Sequence, residues 1–107
     1  MVGMNRTCSG SYHPEFMFYV YLIQSINFDW KYIGYSSDLR KRFEEHQKGL
    51  SSATKPYRQF ELIFYEAYKS KSDAKRRELY FKTNQGKRAI KLMLRDSLAK
   101  RPSGGTT

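Results

Sequence analysis

In KYIGYSSDLRKRFEEH, residues 31–46, Arg42 and His46 stand four residues apart. On a helix that spacing stacks two side chains on one face, here a permanent cation beside a titratable imidazole. Such a face could be ordinary solvated surface, or half of a phosphate site. Two tyrosines are placed to join it: Tyr21 in FMFYVYLI and Tyr32 in the segment above lie in strand-like stretches, and a hairpin of suitable register turns them the same way. A carboxylate completes the set. Glu78, at helical spacing between Ala74 and Phe81, can point into the body of the protein, although Lys75, Arg76 and Arg77 surround it in sequence. Each residue has an ordinary alternative, the tyrosines as core aromatics and Glu78 as a surface carboxylate offsetting Arg76 or Arg77.

The elements that must position these groups are readable from the pattern. FMFYVYLI, rich in aromatic and β-branched residues, predicts a buried strand, and Trp30 to Tyr35 a second, with Ser25 to Asp29 as a hairpin loop. Alternation puts Tyr19, Tyr21 and Ile23 on one face and Phe18, Val20 and Leu22 on the other. A helix from Leu39 to about Lys48 is capped by Asp38 or Ser37 and ended by Gly49. GLSSATKPY then predicts a mobile loop, and Phe60 to Tyr68 a third strand with Phe60, Leu62 and Phe64 on one side. Ser70 or Ser72 starts a second helix that runs to about Lys82 and is broken by TNQG, with Asn84 in the turn. A last helix carries Ile90, Met93, Leu94 and Leu98 as core contacts. The expected fold is α+β, a small three-stranded, mainly antiparallel sheet with flanking helices in the order β-β-α-β-α-α. Residues 15–98 form one domain, between tails at 1–14 and 99–107 that are expected to be disordered.

Charge is concentrated in one part of the chain. Formal net charge is +10 over 107 residues, and residues 69–101 hold twelve Lys/Arg against Asp73, Glu78 and Asp96. The remainder is nearly balanced, so the C-terminal third is the cationic part. A field of that sign attracts polyanions, nucleic acid first and anionic membrane second, unless it serves only to solvate the surface. Aromatic content of 16% supplies enough buried area to exclude a wholly disordered chain. Cys8 is the only cysteine, which excludes an internal disulfide and a thiolate zinc cluster and fits a cytoplasmic location. The apolar run Phe16 to Ile23 is well short of the roughly 18 residues that span a bilayer and makes a poor signal peptide, so no membrane partner is expected.

YVYL at 19–22, YIG at 32–34, Asp38-Leu39 followed by Arg42 and His46, and Ala74 with Glu78 together resemble a GIY-YIG nuclease domain. The resemblance spans about residues 17–95, and RRELYFKTNQGKRAIK resembles the family's small stand-alone branch, which is similar to the N-terminal nuclease domain of the excision-repair endonuclease. It implies a divalent-metal-dependent endonuclease that hydrolyses DNA phosphodiester bonds by direct attack of water, in repair or recombination. The catalytic residues carried over are Tyr21, Tyr32, Arg42, His46 and Glu78. The resemblance gives Glu78 a single Mg²⁺ or Mn²⁺, for which one carboxylate suffices because water and substrate phosphate fill the remaining positions. It gives Arg42 the phosphate, a task suited to a planar guanidinium fork. Tyr21 is to help deprotonate the attacking water, which requires cations to lower its pKa from about 10. Tyr32 is to orient water or phosphate, His46 to support Tyr21 or the phosphate, and Gly34 to let the backbone approach closely.

The implied partner is DNA, branched or damaged DNA included and RNA left open, with no small-molecule cofactor and no second, target-choosing module. The chain departs from the family pattern in three places: the first motif lacks its glycine, Tyr35 replaces a lysine, and the late asparagine has no clear match. Rival readings are a catalytically weak or inactive nucleic-acid-binding module and a basic domain that meets an acidic protein.

Overall fold

In a computed structural model of the protein, which describes residues 16–98, three strands form one antiparallel sheet in the order β2-β1-β3. The two expected tails and Cys8 lie outside the described residues. β1 (Phe18–Ser25) is central because its aromatic and β-branched side chains are buried from Val20 onward on both faces. β2 (Lys31–Ser36) and β3 (Phe60–Tyr68) pair along its two edges. The helices are α1 (Leu39–Lys48), α2 (Lys71–Phe81), α3 (Asn84–Met93) and a short α4 (Arg95–Leu98), so the α+β order is the expected one with α4 added. None of the described helices is long and apolar enough to cross a membrane.

Alternation along β1 divides the interior in two. Val20 and Leu22 pack with Ile33, Ala74, Phe81 and Ile90 beneath α2 and α3, whereas Tyr21 and Ile23 pack with Phe60 on the side covered by Leu39 and Phe43 of α1. Burying each of these large side chains contributes about 1.5–3 kcal/mol, so both faces are needed to hold so small a sheet. The third strand does not keep strict alternation. Consecutive Leu22 and Ile23 face Phe64 and Leu62, leaving Ile63 as an extra residue in a β-bulge. Phe60 and Leu62 therefore share Tyr21's side, while Phe64 crosses to pack against Phe81, with ring centroids 5.9 Å apart. The expectation that all three would share a side fails because one extra residue inverts the pleat.

Local signals fix the helix ends. Asp38, rather than Ser37, caps α1 by accepting from the Lys41 N–H at 3.1 Å, and Gly49 closes it at φ 77°, a left-handed conformation that glycine adopts without strain. The Gln47 amide then ties α1 to the sheet: its Oε1 accepts from Phe60 N at 2.7 Å and its Nε2 donates to Phe60 O at 3.2 Å. Ser70 caps α2. TNQG is more than a break, because Thr83 caps α3 through Gly86 N at 3.0 Å and Asn84 becomes the first residue of that helix. Among the residues predicted as core at the C-terminal end, Ile90 is buried and Leu94 and Leu98 pack beside it, but Met93 is 48% exposed because the chain leaves α3 there and restarts as α4.

Candidate active site

Register brings the two tyrosines to one side. Tyr21 pairs with Gly34 and Ile23 with Tyr32, so both phenols stand on the face that α1 covers. Gly34 is required there: a Cβ at that position would collide with the Tyr21 ring and hydroxyl. The close approach is thus made by a side chain lying across the strand.

Four residues after Arg42, His46 drops from α1 into this layer and is 0% exposed. Its Nε2 lies 2.8 Å from Tyr21 Oη, and its ring centroid is 5.5 Å from that of Tyr32. On the other side, Nδ1 lies 2.8 Å from Thr54 Oγ1, also fully buried, whose hydroxyl has the Ser51 carbonyl at 3.5 Å. The segment expected as a mobile loop therefore anchors the imidazole, and Lys55–Tyr57 within it forms a 3₁₀ turn. Burial, aided by the Arg42 charge, pushes the His46 pKa down to about 4, so at neutral pH the ring is uncharged and carries a single N–H.

Burial also pushes the Tyr21 phenol up to about 12; the adjacent Arg42 guanidinium pulls the other way, and the negative charge of Glu78 opposes ionisation. Arg42 offers only N–H donors, so toward Tyr21 it leaves the hydroxyl proton to His46. Burial works against the Arg42 charge too, but hydrogen bonding to Glu45 and Tyr21 more than offsets it and holds its pKa above the usual value. The ion pair from Nη1 to Glu45 Oε1 is 2.9 Å.

Glu78 is 9% exposed and does turn inward from α2. Its ordinary alternative needs correcting, since Arg76 pairs with Asp73 and Arg77 with Glu66, each at 2.9 Å. Lysines hold Glu78 instead: Lys82 Nζ at 3.0 Å from Oε2 and Lys75 Nζ at 3.4 Å from Oε1. Lys82 Nζ also stands 5.8 Å from the Tyr32 ring centroid, which carries the cationic edge of the site up to the second tyrosine. No group of three or more His, Cys, Asp or Glu gathers among the described residues. The donor set fits a hard divalent cation that takes one carboxylate and completes its shell with water and phosphate; it does not fit a cage of protein ligands. Both lysines are about half exposed, and Lys75 Nζ also stands 4.6 Å from the Tyr35 ring centroid.

Of the side chains expected from sequence, His46 and Arg42 reach the Tyr21 hydroxyl, Tyr32 packs edge-on beside His46, and Glu78 acts on the hydroxyl only through its charge. Asn84, at the start of α3, has no hydrogen bond among the described residues that links it to them. Residues 17–91 match the sequence family described as the GIY-YIG catalytic domain. The chain belongs to the GIY-YIG family. The GIY-YIG domain is a nuclease fold, and it implies a nucleic-acid substrate. The chain is 38% identical over 65 residues to the UPF0213 protein YazA of Bacillus subtilis (strain 168), a match that covers 60% of this chain and 65% of that protein's own length. A UPF0213 protein of Staphylococcus aureus (strain Mu3) is 35% identical over 63 residues, 58% of this chain and 77% of its own. The solution NMR structure of the UPF0213 protein BH0048 from Bacillus halodurans is similar with a TM-score of 0.47 at 24% identity, across 85% of this chain and 98% of that one.

Sequence reasoning missed Thr54 and Lys82. Lys82 was within reach, being four residues after Glu78 on one helix face. Thr54 gave no periodic signal; only the rule that a buried imidazole needs a partner at each nitrogen points to it.

Proposed function

We propose that this protein is an endonuclease that hydrolyses DNA phosphodiester bonds with Mg²⁺ or Mn²⁺, in a repair or recombination setting. The observation that carries the reading is the convergence on Tyr21 Oη of a neutral imidazole at 2.8 Å, the Arg42 cation and the field of Glu78. Arg42 holds the scissile phosphate through its guanidinium fork, exchanging Glu45 for phosphate oxygens. Tyr21 receives the proton of the attacking water and hands its own to His46 Nε2. His46 can accept there because its one N–H is on Nδ1 and donates to Thr54 Oγ1, which in turn donates to the Ser51 carbonyl. In the resting protein burial disfavours both the phenolate and the imidazolium, so the hydroxyl keeps its proton. Glu78 would hold the divalent cation, which supplies Lewis-acid stabilisation of phosphate and leaving oxygen. Tyr32, beside His46 and Lys82, orients water or phosphate.

A second reading, a nucleic-acid-binding module without turnover, is favoured by the two lysines that already neutralise Glu78. The two separate when purified protein is incubated with duplex, single-stranded and branched DNA in Mg²⁺, Mn²⁺ or EDTA. Metal-dependent cuts are expected. Salt-sensitive binding without cuts under any condition would leave only the module.

A further inference from the structure

Beyond Tyr32 the site opens into a cleft of about 610 Å³ between the start of β2 and α3. Beneath it lies the buried core, Leu22, Ile33, Phe81 and Ile90, none more than 9% exposed. Trp30 and Tyr32 form a wall, and Trp30 has one face stacked on Tyr57 at 4.0 Å. The rim carries Lys31, Lys82, Lys87 and Lys91 against a single carboxylate, Asp29. All four lysines are exposed, and Lys31, Lys87 and Lys91 make no ion pair among the described residues.

An aromatic wall within a ring of four lysines, three of them without an ion pair among the described residues, matches one chemistry closely, a flat base joined to phosphates. The volume lies within the ~300–1,000 Å³ usual for sites that enclose small ligands. A base stacked in duplex has both faces covered and its edge paired, and it cannot lie against the Trp30 and Tyr32 side chains inside the cleft; only an unstacked base can. The cleft is also continuous with the candidate active site, sharing Tyr32 and Lys82, and Lys82 bridges to Glu78 at 3.0 Å. We propose that the cleft takes an unpaired nucleotide of the DNA strand next to the scissile phosphate, its base against the Trp30 and Tyr32 wall and its phosphates on Lys31, Lys87 and Lys91. The protein then selects strands with an unpaired segment at the cut over continuous duplex. This deepens the nuclease reading and rests on it for the identity of the strand.

Trp30 is the only tryptophan, so its fluorescence reports occupancy of the cleft directly. The full chain is titrated in EDTA, where no cleavage intervenes, with a short oligothymidylate, a blunt two-strand duplex of equal charge, and an abasic strand with the same phosphates. Saturable quenching by oligothymidylate is expected, with little from the duplex or the abasic strand. The double variant Lys87→Glu and Lys91→Glu, both exposed on α3, should stay folded by circular dichroism and weaken oligothymidylate binding by about tenfold or more. The same charge reversal at Lys69 and Lys71, at the opposite end of α2, should weaken it less. Equal quenching by all three probes, binding without any change in Trp30 emission, or no binding of oligothymidylate would overturn the proposal. Quenching in a protein that never cuts would keep the cleft assignment and defeat the nuclease reading, so the two fail separately.

Discussion

Val20 and Leu22 on one face of β1 are as buried as Tyr21 and Ile23 on the other, yet they meet opposite surroundings. Under α2 and α3 the contacts are apolar, and their strength comes from area removed from water and from close packing. Under α1 the buried groups include a phenol, an imidazole and a threonine hydroxyl, held in a chain in which each polar atom answers the next at 2.8 Å. Such a chain adds little net stability, and leaving one member unpaired costs more than forming the bond contributes. What it supplies is orientation. The apolar face keeps the sheet together so that the polar face can hold protons at defined atoms.

Breaking the polar face should cost chemistry more than stability. Tyr21→Phe keeps the ring over Gly34 and removes the hydroxyl, so single-turnover cleavage should fall by ~10²–10⁴-fold, while unfolding in urea shows a loss of only ~1–3 kcal/mol from the orphaned His46 nitrogen. Near-normal cleavage would reduce Tyr21 to packing. The apolar face should respond the other way: Val20→Ala removes two fully buried methyl groups and should cost ~2–3 kcal/mol while leaving cleavage per folded molecule nearly unchanged.

A pH titration sharpens the contrast when the parent is compared with a His46 variant. The variant removes the contribution of the polar face and leaves that of Glu66, whose carboxyl, despite burial, is held below its usual range by the Arg77 guanidinium. His46 has a folded pKa of about 4, below its ordinary 6.5, so the unfolded chain binds the proton more readily. Its contribution is complete above pH 6.5 and is lost as pH falls toward about 4, up to about 3 kcal/mol in all. Denaturant unfolding at several pH values should show this slope in the parent and a shallower one in His46→Gln. The smallest effect is expected at Thr54→Val, of similar shape without the hydroxyl: about 1–3 kcal/mol of stability. A change in the His46 tautomer, read from its ring nitrogen NMR shifts, should accompany it; an unchanged tautomer would remove Thr54 from the chain.

The same division explains what was legible in sequence. Period-two alternation in β1, the Asp38 cap and Gly49 are local signals, and the strands and α1 follow from them. Arg42, His46 and Glu78 were legible because helical spacing and a family pattern coincide on them. The bulge at Ile63 was not, since one strand's pattern cannot say how its partner is spaced, and it moved Phe64 to the other face. Thr54 and the lysine partners of Glu78 depend on contacts between segments, which no single stretch encodes.

The central claim, that Glu78 belongs to a metal-assisted hydrolytic site, is tested most directly by plasmid nicking with Glu78→Gln in Mg²⁺ or Mn²⁺, alongside a DNA titration in EDTA. The variant keeps the size and polarity of the side chain and removes the charge a hard cation requires. It should remain folded by circular dichroism, bind DNA as well as the parent or better because a carboxylate no longer repels phosphate, and fail to nick. Full nicking by the folded variant would contradict the account.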